Sequence, residues 1–296
     1  MGGLTIGFIG LGNMGRPMVE HLMAGGHTLR VHARRAEAMQ PFAARGAVAC
    51  ASPAEAARGA SVVFINVTST ADVEQVLFAS GGVVEGAAAG TIVVDHGTIS
   101  ALATREFARR LAERNVEMLD CPVSGGVRGA QAATLSIMVG GNADILERVR
   151  PLLQLLGKTI THCGAAGAGQ VVKACNQIVQ VVNIQGIAEA MLFARANGVD
   201  PQTMLAGISQ GFAGSRMLDL MGPKMAGRDF AAGIEARLHH KDYGLIVDMA
   251  RESHLAMPAV ALVAQQLNAL MGHGWGTLDT SALLKVLEAA AGATPP

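Results

Sequence analysis

The sequence has few aromatic residues, no excess of either charge and no paired cysteines. Phe, Trp and Tyr make up 3% of its 296 residues, and 23 basic side chains balance 23 acidic ones. Proteins that bind nucleic acid use a basic excess for phosphates and aromatic rings for stacking, so we expect no nucleic-acid partner. The cysteines fall singly, at positions 50, 121, 163 and 175. Without a C-x-x-C pair or a histidine at zinc-site spacing, we expect reduced thiols and no metal.

Membrane and secretion signals are also lacking. No apolar run reaches the roughly 20 residues that a membrane-spanning helix requires. No basic region precedes the apolar segment at the N-terminus, so a signal peptide is not indicated. We therefore expect a cytoplasmic protein with no membrane partner. Because 50% of the residues are hydrophobic and the second half is rich in methionine, we also expect a homodimer or homotetramer joined through that half.

A glycine-rich motif follows the first apolar segment. The segment Thr5–Ile9 leads directly into a G-x-G-x-x-G motif, formed by Gly10, Leu11, Gly12, Asn13, Met14 and Gly15. The first glycine allows a tight turn, the second lets the backbone approach a pyrophosphate, and the third lets the next helix pack against its strand. The alternative is an ordinary strand-helix turn, but an apolar strand precedes the motif and an amphipathic stretch follows it. The motif therefore predicts a dinucleotide site.

Short segments rich in valine and isoleucine alternate with Ala-, Glu- and Arg-rich stretches through the first half. Six strands are predicted, at Thr5–Ile9, Thr28–His32, Ser61–Val67, Thr91–Asp95, Val116–Asp120 and Thr134–Val139. This alternation is typical of βαβ units around a mainly parallel sheet. We predict an α/β Rossmann-like N-terminal domain over residues 1–163, followed by an all-α C-terminal domain over residues 164–296.

The second half has helical patterns only. A helix predicted from Gln170 to Asn197 is much longer than the globular average. Further breaks are predicted where Gly and Pro occur, at residues 198–201, 222–223, 257–258 and 272–276, and residues 292–296 are expected to form a frayed tail.

Two segments carry residues suited to chemistry. Ser124, Gly125 and Gly126 follow a predicted strand at the sheet edge where α/β proteins bind ligands. A hydroxyl beside two unhindered N–H groups suits a carboxylate, although a plain Ser-Gly-Gly turn is the alternative. Farther on, Lys173 and Asn176 share a helix face with Gln177, at i, i+3 and i+4.

A lysine at a small-residue helix entry is expected to be partly buried. Burial disfavours the ammonium form and lowers a lysine pKa toward the working pH, as an acid/base group requires. Asn176 could then hold the substrate hydroxyl or Lys173 itself. Standing alone, the motif would more simply be a surface lysine with polar neighbours.

The end of the second predicted strand indicates which nicotinamide cofactor is used. That strand runs into Ala33, Arg34 and Arg35, with no acidic residue before Glu37. NAD-selective folds place Asp or Glu there, on the ribose 2′-hydroxyl, whereas arginine accommodates a 2′-phosphate. We predict NADP, with NAD possible; the alternative is that both arginines are solvated.

Together these motifs resemble the β-hydroxyacid dehydrogenases, a family that includes 3-hydroxyisobutyrate dehydrogenase and tartronate semialdehyde reductase and is related to 6-phosphogluconate dehydrogenase. The resemblance covers nearly the whole chain. It rests on four segments in order: residues 8–18, residues 120–126, residues 164–177, and Lys241-Asp242 after Arg237-Leu238-His239-His240.

The resemblance implies an oxidoreductase that transfers a hydride between NADP(H) and a small β-hydroxy acid or semialdehyde. It implies that Lys173 is the catalytic acid/base, that Asn176 orients the substrate, and that Ser124, Gly125 and Gly126 bind its carboxylate. Lys241, Thr98 and Val67 would lie beside the cofactor, and Gln177 beside the substrate.

The chain also departs from the family pattern. Gln177 stands where many members have a second asparagine, Thr68 where proline is frequent, and Ala133 where glycine is frequent. These departures bear on substrate identity, not reaction type. The alternatives are an imine or other carbonyl reductase on the same scaffold, in which the lysine tends to be absent, and a non-catalytic nucleotide-binding module. His239 and His240 suggest a buried and a capping histidine, since adjacent helical residues diverge by about 100°.

Overall fold

The computed structural model describes residues 3–292. It divides into two compact units, Met1–Lys173 and Ala174–Pro296. The division falls inside one long helix, farther along the chain than the predicted boundary between residues 163 and 164. That boundary stays a prediction.

The first unit is built from alternating strands and helices. Its strands are β1 (Thr5–Ile9), β2 (Thr28–His32), β3 (Val48–Ala49), β4 (Val62–Ile65), β5 (Ile92–Asp95), β6 (Glu117–Asp120), β7 (Val123–Ser124), β8 (Leu135–Gly140) and β9 (Gly157–Gly164). Its helices are α1 (Gly15–Ala24), α2 (Gln40–Ala43), α3 (Pro53–Ala57), α4 (Thr70–Phe78), α5 (Val83–Gly86), α6 (Ala101–Ala112), α7 (Gly126–Gln131), α8 (Ala143–Gln154) and the start of α9 (Ala168–Ala196), with a 3₁₀ turn at Ala36–Ala38.

These strands form one twisted sheet in the order β3-β2-β1-β4-β5-β6-β8-β7, with β9 paired to β8. Strands β1 to β6 pair in parallel, whereas β8 runs antiparallel to β6 and β7. Because β1 lies between β2 and β4, the chain reverses its direction of winding there. The loop after β1 therefore opens at the switch point where such sheets bind ligands.

Apolar side chains cover both faces of this sheet. All four residues of β4 and all four of β5 are buried, as continuous apolar runs in a doubly covered parallel sheet should be. One face carries a core with Phe8, Phe64 and Met18. The other carries a core with Ile65, Val93 and Leu111. The α/β Rossmann-like prediction is confirmed.

The predicted strands match the observed ones closely, and the pattern missed three. The first two strands have the bounds predicted, and the other four lie within a residue or two of theirs. The missed strands are β3, β7 and β9. The first two have only two residues each, and four of the eight residues of β9, an edge strand, are polar side chains at exposed positions.

The second unit is helical within the residues described. After α9 come α10 (Pro201–Ile208), α11 (Arg216–Ala226), α12 (Ala236–Glu252), α13 (Pro258–Gly272), a 3₁₀ turn at Thr280–Ala282 and α14 (Leu283–Ala290). Their apolar faces share a core that includes Val181, Met191, Tyr243 and Leu267.

One predicted break is wrong. Gly222 and Pro223 lie inside α11, where Gly222 is buried against Leu205 and the N–H of Gly227 donates to the Pro223 carbonyl at 2.9 Å. A proline inside a helix removes one backbone hydrogen bond and crowds the carbonyl four residues earlier, yet α11 continues through Pro223 to Ala226. The breaks at residues 198–201, 257–258 and 272–276 are confirmed. Of the predicted tail, residues 293–296 lie outside the described residues.

Helix α9 is long and apolar enough to cross a membrane by length and composition. It has 29 residues, and its most apolar 18-residue window has a mean hydropathy of 1.2 with 44% of that window buried. The core helix of a soluble protein has the same properties, and α9 contributes Val181, Ile184 and Met191 to the core of its unit. Within residues 3–292, no three His, Cys, Asp or Glu side chains cluster as metal ligands.

Candidate active site

The loop between β1 and α1 has the geometry of a dinucleotide cradle. Gly10 has a φ of +103°, and a Cβ there would overlap the carbonyl oxygen of Asn66. A Cβ on Gly15 would overlap the carbonyl oxygen of Gly10, so α1 packs directly on the turn. A Cβ on Gly12 meets nothing within 4 Å. Close packing at the outer glycines and open space at the middle one fit a pyrophosphate held by backbone N–H groups.

The other loop residues flank this cradle. Leu11 is buried, and its carbonyl accepts a hydrogen bond from Arg16 Nε at 3.1 Å. Asn13 is exposed and Met14 packs against the core. Val67 follows β4, and its Cγ1 would lie 3.2 Å from a Cβ on Gly10. The structure thus brings Val67 to the glycine loop.

The end of β2 carries two exposed arginines. The Arg34 side chain is 88% exposed, and its Nη1 lies 3.7 Å from Asp72 Oδ1. Arg35 is also exposed and precedes the 3₁₀ turn. A long ion pair at the surface contributes about 0 to 1 kcal/mol. Asp72 therefore holds the Arg34 guanidinium only weakly, so this group can bind a phosphate instead.

Asp120, at the end of β6, fixes the start of α9. Its Oδ1 accepts from the N–H of Gly167 at 2.8 Å, and its Oδ2 accepts from the N–H of Gln170 at 2.9 Å. Burial raises the pKa of Asp120, while these two N–H bonds act in the opposite direction. A carboxylate on the first N–H groups of a helix is favourable for the helix dipole as well. This clamp ties the start of α9 to the end of β6, and Lys173 lies one turn after Gln170 on that helix.

Gln170 then joins α9 to the loop after β5. Its Nε2 donates to the Gly97 carbonyl at 2.8 Å, and its Oε1 accepts from the N–H of Ile99 at 3.1 Å. Both bonds are buried, and they bracket Thr98. The residue that precedes Lys173 by three thus also fixes the loop carrying Thr98, so the structure anchors both predicted site residues through one side chain.

Lys173, the last residue of the first unit, is buried. It is 7% exposed, which confirms the expectation that the helix entry shields it from solvent.

Ser124, Gly125 and Gly126 form the turn between β7 and α7. Gly125 and Gly126 have φ values of +132° and +61°, which favour glycine. A Cβ on Gly126 meets nothing within 4 Å. Ser124 pairs with Ser136 of β8 and is partly exposed. The turn therefore combines a hydroxyl, glycine N–H groups and open space, as a carboxylate site requires.

His96 is a buried neutral histidine beside these segments. Its Nδ1 donates to the carbonyl of Cys121 at 2.7 Å, and its ring stacks on Phe64 with centroids 5.5 Å apart. Its Nε2 has no hydrogen-bond partner among the residues described. Complete burial lowers the pKa of His96 to about 4. This residue therefore stays uncharged at neutral pH.

Asn176, Gln177 and Lys241 lie in the second unit. Asn176 Nδ2 donates to Gln177 Oε1 at 2.8 Å and to Gln180 Oε1 at 3.2 Å. Gln177 Nε2 donates to Asp242 Oδ2 at 2.6 Å, and Lys241 Nζ lies 2.9 Å from Asp242 Oδ1. The structure thus connects three predicted site residues through Asp242, to which the sequence assigned no role.

The two histidines of α12 diverge, as their spacing predicts, but the expectation that one of them caps a helix is wrong, because both lie inside α12. His239 is 1% exposed, and its Nδ1 lies 2.7 Å from Thr280 Oγ1. His240 Nε2 lies 2.8 Å from Asn268 Oδ1. They point to different partners, and His239 is the buried one.

Three polar residues that hold predicted site residues in place were not predicted from the sequence: Asp120 and Gln170 in the first unit and Asp242 in the second. Each joins segments far apart in the chain, so no local spacing indicates the contact. The one sequence feature that could have indicated these residues is a polar side chain near a predicted functional residue, within a stretch that is otherwise apolar. The roles predicted for the site residues themselves stay predictions.

Comparison with known proteins identifies the family. Residues 5–164 match the family model for the NAD-binding domain of 6-phosphogluconate dehydrogenase. Residues 167–287 match the model for the NAD-binding region of NADP-dependent 3-hydroxyisobutyrate dehydrogenase.

Characterised relatives match along almost the whole chain. A 2-hydroxy-3-oxopropionate reductase of Escherichia coli is 40% identical over 96% of this chain and 97% of its own length. An NAD-dependent L-serine dehydrogenase of Pseudomonas aeruginosa is 36% identical over 96% and 97%. A solved structure of 3-hydroxyisobutyrate dehydrogenase from Mycobacterium tuberculosis with L-serine has a TM-score of 0.89 and 34% identity, over 96% of this chain and 99% of that one. This chain therefore belongs to the β-hydroxyacid dehydrogenases, the family of NAD(P)-binding oxidoreductases related to 6-phosphogluconate dehydrogenase.

Proposed function

We propose that this protein transfers a hydride reversibly between NADP(H) and a small β-hydroxy acid or its semialdehyde, of the 2-hydroxy-3-oxopropionate or 3-hydroxyisobutyrate type. The observation that carries the proposal is the buried Lys173, 7% exposed, at a helix start fixed by Asp120 and Gln170. Gln170 also holds the loop of Thr98, at the carboxyl edge of the sheet that bears the glycine cradle. An acid/base group is thus anchored to the nucleotide-binding fold itself.

Lys173 handles the proton of the reaction. A nicotinamide cofactor held at the glycine loop would supply or accept the hydride. In the oxidative direction, neutral Lys173 takes the proton from the substrate hydroxyl. In reduction, its ammonium gives a proton to the oxygen of the developing alkoxide. Asn176 orients that hydroxyl, and burial of Lys173 keeps water from competing for its proton.

Ser124, Gly125 and Gly126 hold the substrate carboxylate. The substrates named for the relatives (2-hydroxy-3-oxopropionate, 3-hydroxyisobutyrate and L-serine) share a carboxylate on the carbon next to the reacting one. A site that binds this carboxylate fixes the distance from the carboxylate to the reacting carbon. The substrates then differ only in the group on the carbon between the carboxylate and the reacting carbon, and that group distinguishes one substrate from another. We take 2-hydroxy-3-oxopropionate as the first candidate because the 40% identical relative is named for it.

NADP is the proposed cofactor. Two exposed arginines, Arg34 and Arg35, follow β2, and no acidic residue precedes Glu37. Guanidinium groups bind a 2′-phosphate through charge-assisted hydrogen bonds, and the missing carboxylate removes the repulsion. NAD remains the alternative, since one relative is named an NAD-dependent enzyme. A cytoplasmic location and a homodimer or homotetramer stay predictions.

A panel of substrates tests the proposal. NADPH or NADH is mixed with 2-hydroxy-3-oxopropionate, 2-methyl-3-oxopropionate, a neutral aldehyde of similar size and a cyclic imine, and products are identified by mass spectrometry. We expect NADPH oxidation with the two carboxylate semialdehydes only. Turnover of the imine alone would establish an imine reductase. Tight NADPH binding with no turnover of any compound would indicate a non-catalytic nucleotide-binding module.

A further inference from the structure

A chain of four polar side chains connects α9 to α12 in the second unit. Lys241 Nζ contacts Asp242 Oδ1 at 2.9 Å, Gln177 Nε2 donates to Asp242 Oδ2 at 2.6 Å, and Asn176 Nδ2 donates to Gln177 Oε1 at 2.8 Å. Gln177 is 4% exposed and Asp242 is 6% exposed. Both polar atoms of the Gln177 amide are thus engaged by protein groups.

The charge of Asp242 fixes the direction of every bond in this chain. An ionised carboxylate only accepts, so the nitrogen of the Gln177 amide must face Asp242. The oxygen of the same amide then faces Asn176, which must donate to it with Nδ2. The Oδ1 of Asn176 is consequently turned away from Gln177. Asn176 Nδ2 also donates to Gln180 Oε1 at 3.2 Å. Gln177 and Gln180 together therefore select one of the two orientations of the Asn176 amide, and Asp242 acts on it through Gln177.

We propose that Asp242 and Gln177 are positioning residues, which help to hold the Asn176 amide in the orientation in which it acts on the substrate hydroxyl. This inference rests on the proposed function, and it gives Gln177 a role through Asn176 instead of a contact with the substrate. The length of the side chain at position 177 suits this role. Asparagine there would be shorter by one carbon, about 1.5 Å, and could not keep both bonds.

Asp242→Asn places a hydrogen-bond donor where the wild type has only acceptors, at one end of this series of hydrogen bonds. The Lys241 ammonium, 2.9 Å from Oδ1 in the wild type, favours an oxygen at that position, so the new amide nitrogen faces Gln177, and two N–H groups oppose each other. The conflict is relieved only if Gln177 turns, which then presents its Nε2 to the Nδ2 of Asn176. We expect kcat for semialdehyde reduction to fall at least about tenfold, within the range that misplacement of a substrate-orienting group produces. NADPH affinity should stay within about twofold.

Gln177→Glu fails for a different reason, because it brings a second carboxylate against Asp242. The double variant Asp242→Asn/Gln177→Glu restores the polarity. The new amide at position 242 donates to the new carboxylate at position 177, and that carboxylate accepts from Asn176 as the Gln177 oxygen does in the wild type. Each single variant should therefore lose activity and the double variant should recover to within about threefold of wild type, the strong non-additivity expected of directly coupled residues.

Two controls separate this role from general effects. Asp248→Asn removes a carboxylate from an exposed position on the same helix, α12, and should not change kcat. Lys241→Met removes the ion pair but keeps the Gln177–Asp242 bond, so it should weaken NADPH binding more than it lowers kcat.

The side-chain amide signals of Asn176 provide a readout that needs no turnover. In protein labelled with ¹⁵N-asparagine, we expect the Asn176 NH₂ signal to shift in Asp242→Asn and to return to its wild-type position in the double variant. If the wild type reduces no β-hydroxy-acid semialdehyde, the proposed function fails, and the amide signals alone decide the present inference. An unchanged signal in Asp242→Asn, or a double variant no more active than the weaker single one, would overturn it.

Discussion

Gly12→Ala should separate cofactor binding from folding. A Cβ on Gly12 meets nothing within 4 Å, and its φ lies outside the left-handed region. Alanine therefore introduces no clash and no backbone strain. Because alanine restricts the unfolded chain more than glycine, the free energy of unfolding should be unchanged or rise by about 0.4 to 1 kcal/mol. The same methyl group occupies the space through which a pyrophosphate approaches the backbone.

Gly15→Ala, by contrast, should lower the stability of the fold. Its Cβ would overlap the carbonyl oxygen of Gly10 and lie 3.1 Å from the Phe8 ring. Relief requires the first turn of α1 to move away from β1, which should cost about 1 to 3 kcal/mol of stability, as overpacking does elsewhere. The same substitution at these two glycines, three residues apart, should therefore weaken cofactor binding at Gly12 and lower stability at Gly15.

Urea unfolding and NADPH fluorescence titration measure the two quantities. We expect Gly12→Ala to weaken NADPH binding at least about tenfold, or about 1.4 kcal/mol, at full stability. Gly186→Ala is the matched control, because Gly186 is exposed on α9 and a Cβ there also meets nothing within 4 Å. Wild-type NADPH affinity in Gly12→Ala would refute the placement of the pyrophosphate, and a lower unfolding midpoint would refute the open space at Gly12.

Three further predictions follow from the site. Ser124→Ala should lower kcat/KM for carboxylate semialdehydes about 10- to 100-fold, the loss of a hydrogen bond to a charged group, and leave neutral aldehydes unaffected; equal losses for both would contradict carboxylate binding. The double variant Arg34→Ala/Arg35→Ala should lower the preference for NADPH over NADH at least about tenfold, and a preference equal to that of an Arg45→Ala control would show that the arginines are only solvated. The pKa of His96 falls from 6.5 to about 4 on folding. Below pH 6.5 the unfolded chain therefore binds a proton at His96 that the native state does not bind. The free energy of unfolding should fall as the pH is lowered from 6.5 toward 4, by up to about 1.4 kcal/mol per pH unit. His96→Phe should remove this component from urea midpoints measured between pH 7 and 4.5, and parallel curves for the two proteins would contradict it.

The sequence indicated the fold wherever burial was continuous. The apolar runs of β1, β4 and β5 are strands because they are covered on both faces, and their apolar composition between helical stretches indicated this. Strand β9 was missed because Lys158, Thr159 and His162 at exposed edge positions interrupt any apolar pattern. Pro223 was taken as a helix break because the pattern contains no information on the packing of Gly222 against Leu205.

The same limit applies to the predicted site: features that depend on neighbouring residues could be predicted, and contacts between distant segments could not. The three glycines have separate steric roles that their spacing already implied. The burial of Lys173 was also expected, from the small residues around it. The clamps made by Asp120, Gln170 and Asp242 depend on contacts between distant segments, which spacing along the chain cannot indicate. These clamps determine where the predicted residues are held.

If Lys173 is the acid/base group of a hydride transfer, its removal must slow the chemical step itself, and single-turnover kinetics measure that step alone. Protein saturated with NADPH is mixed with 2-hydroxy-3-oxopropionate, and oxidation of the bound cofactor is followed in the wild type, in Lys173→Ala and in a control with the exposed Lys158 replaced by alanine. We predict that Lys173→Ala lowers the rate at least about 10²-fold, the low end for a positioned acid/base group, with NADPH affinity within about twofold of wild type and the control unchanged. A Lys173→Ala rate equal to that of the wild type would contradict the account.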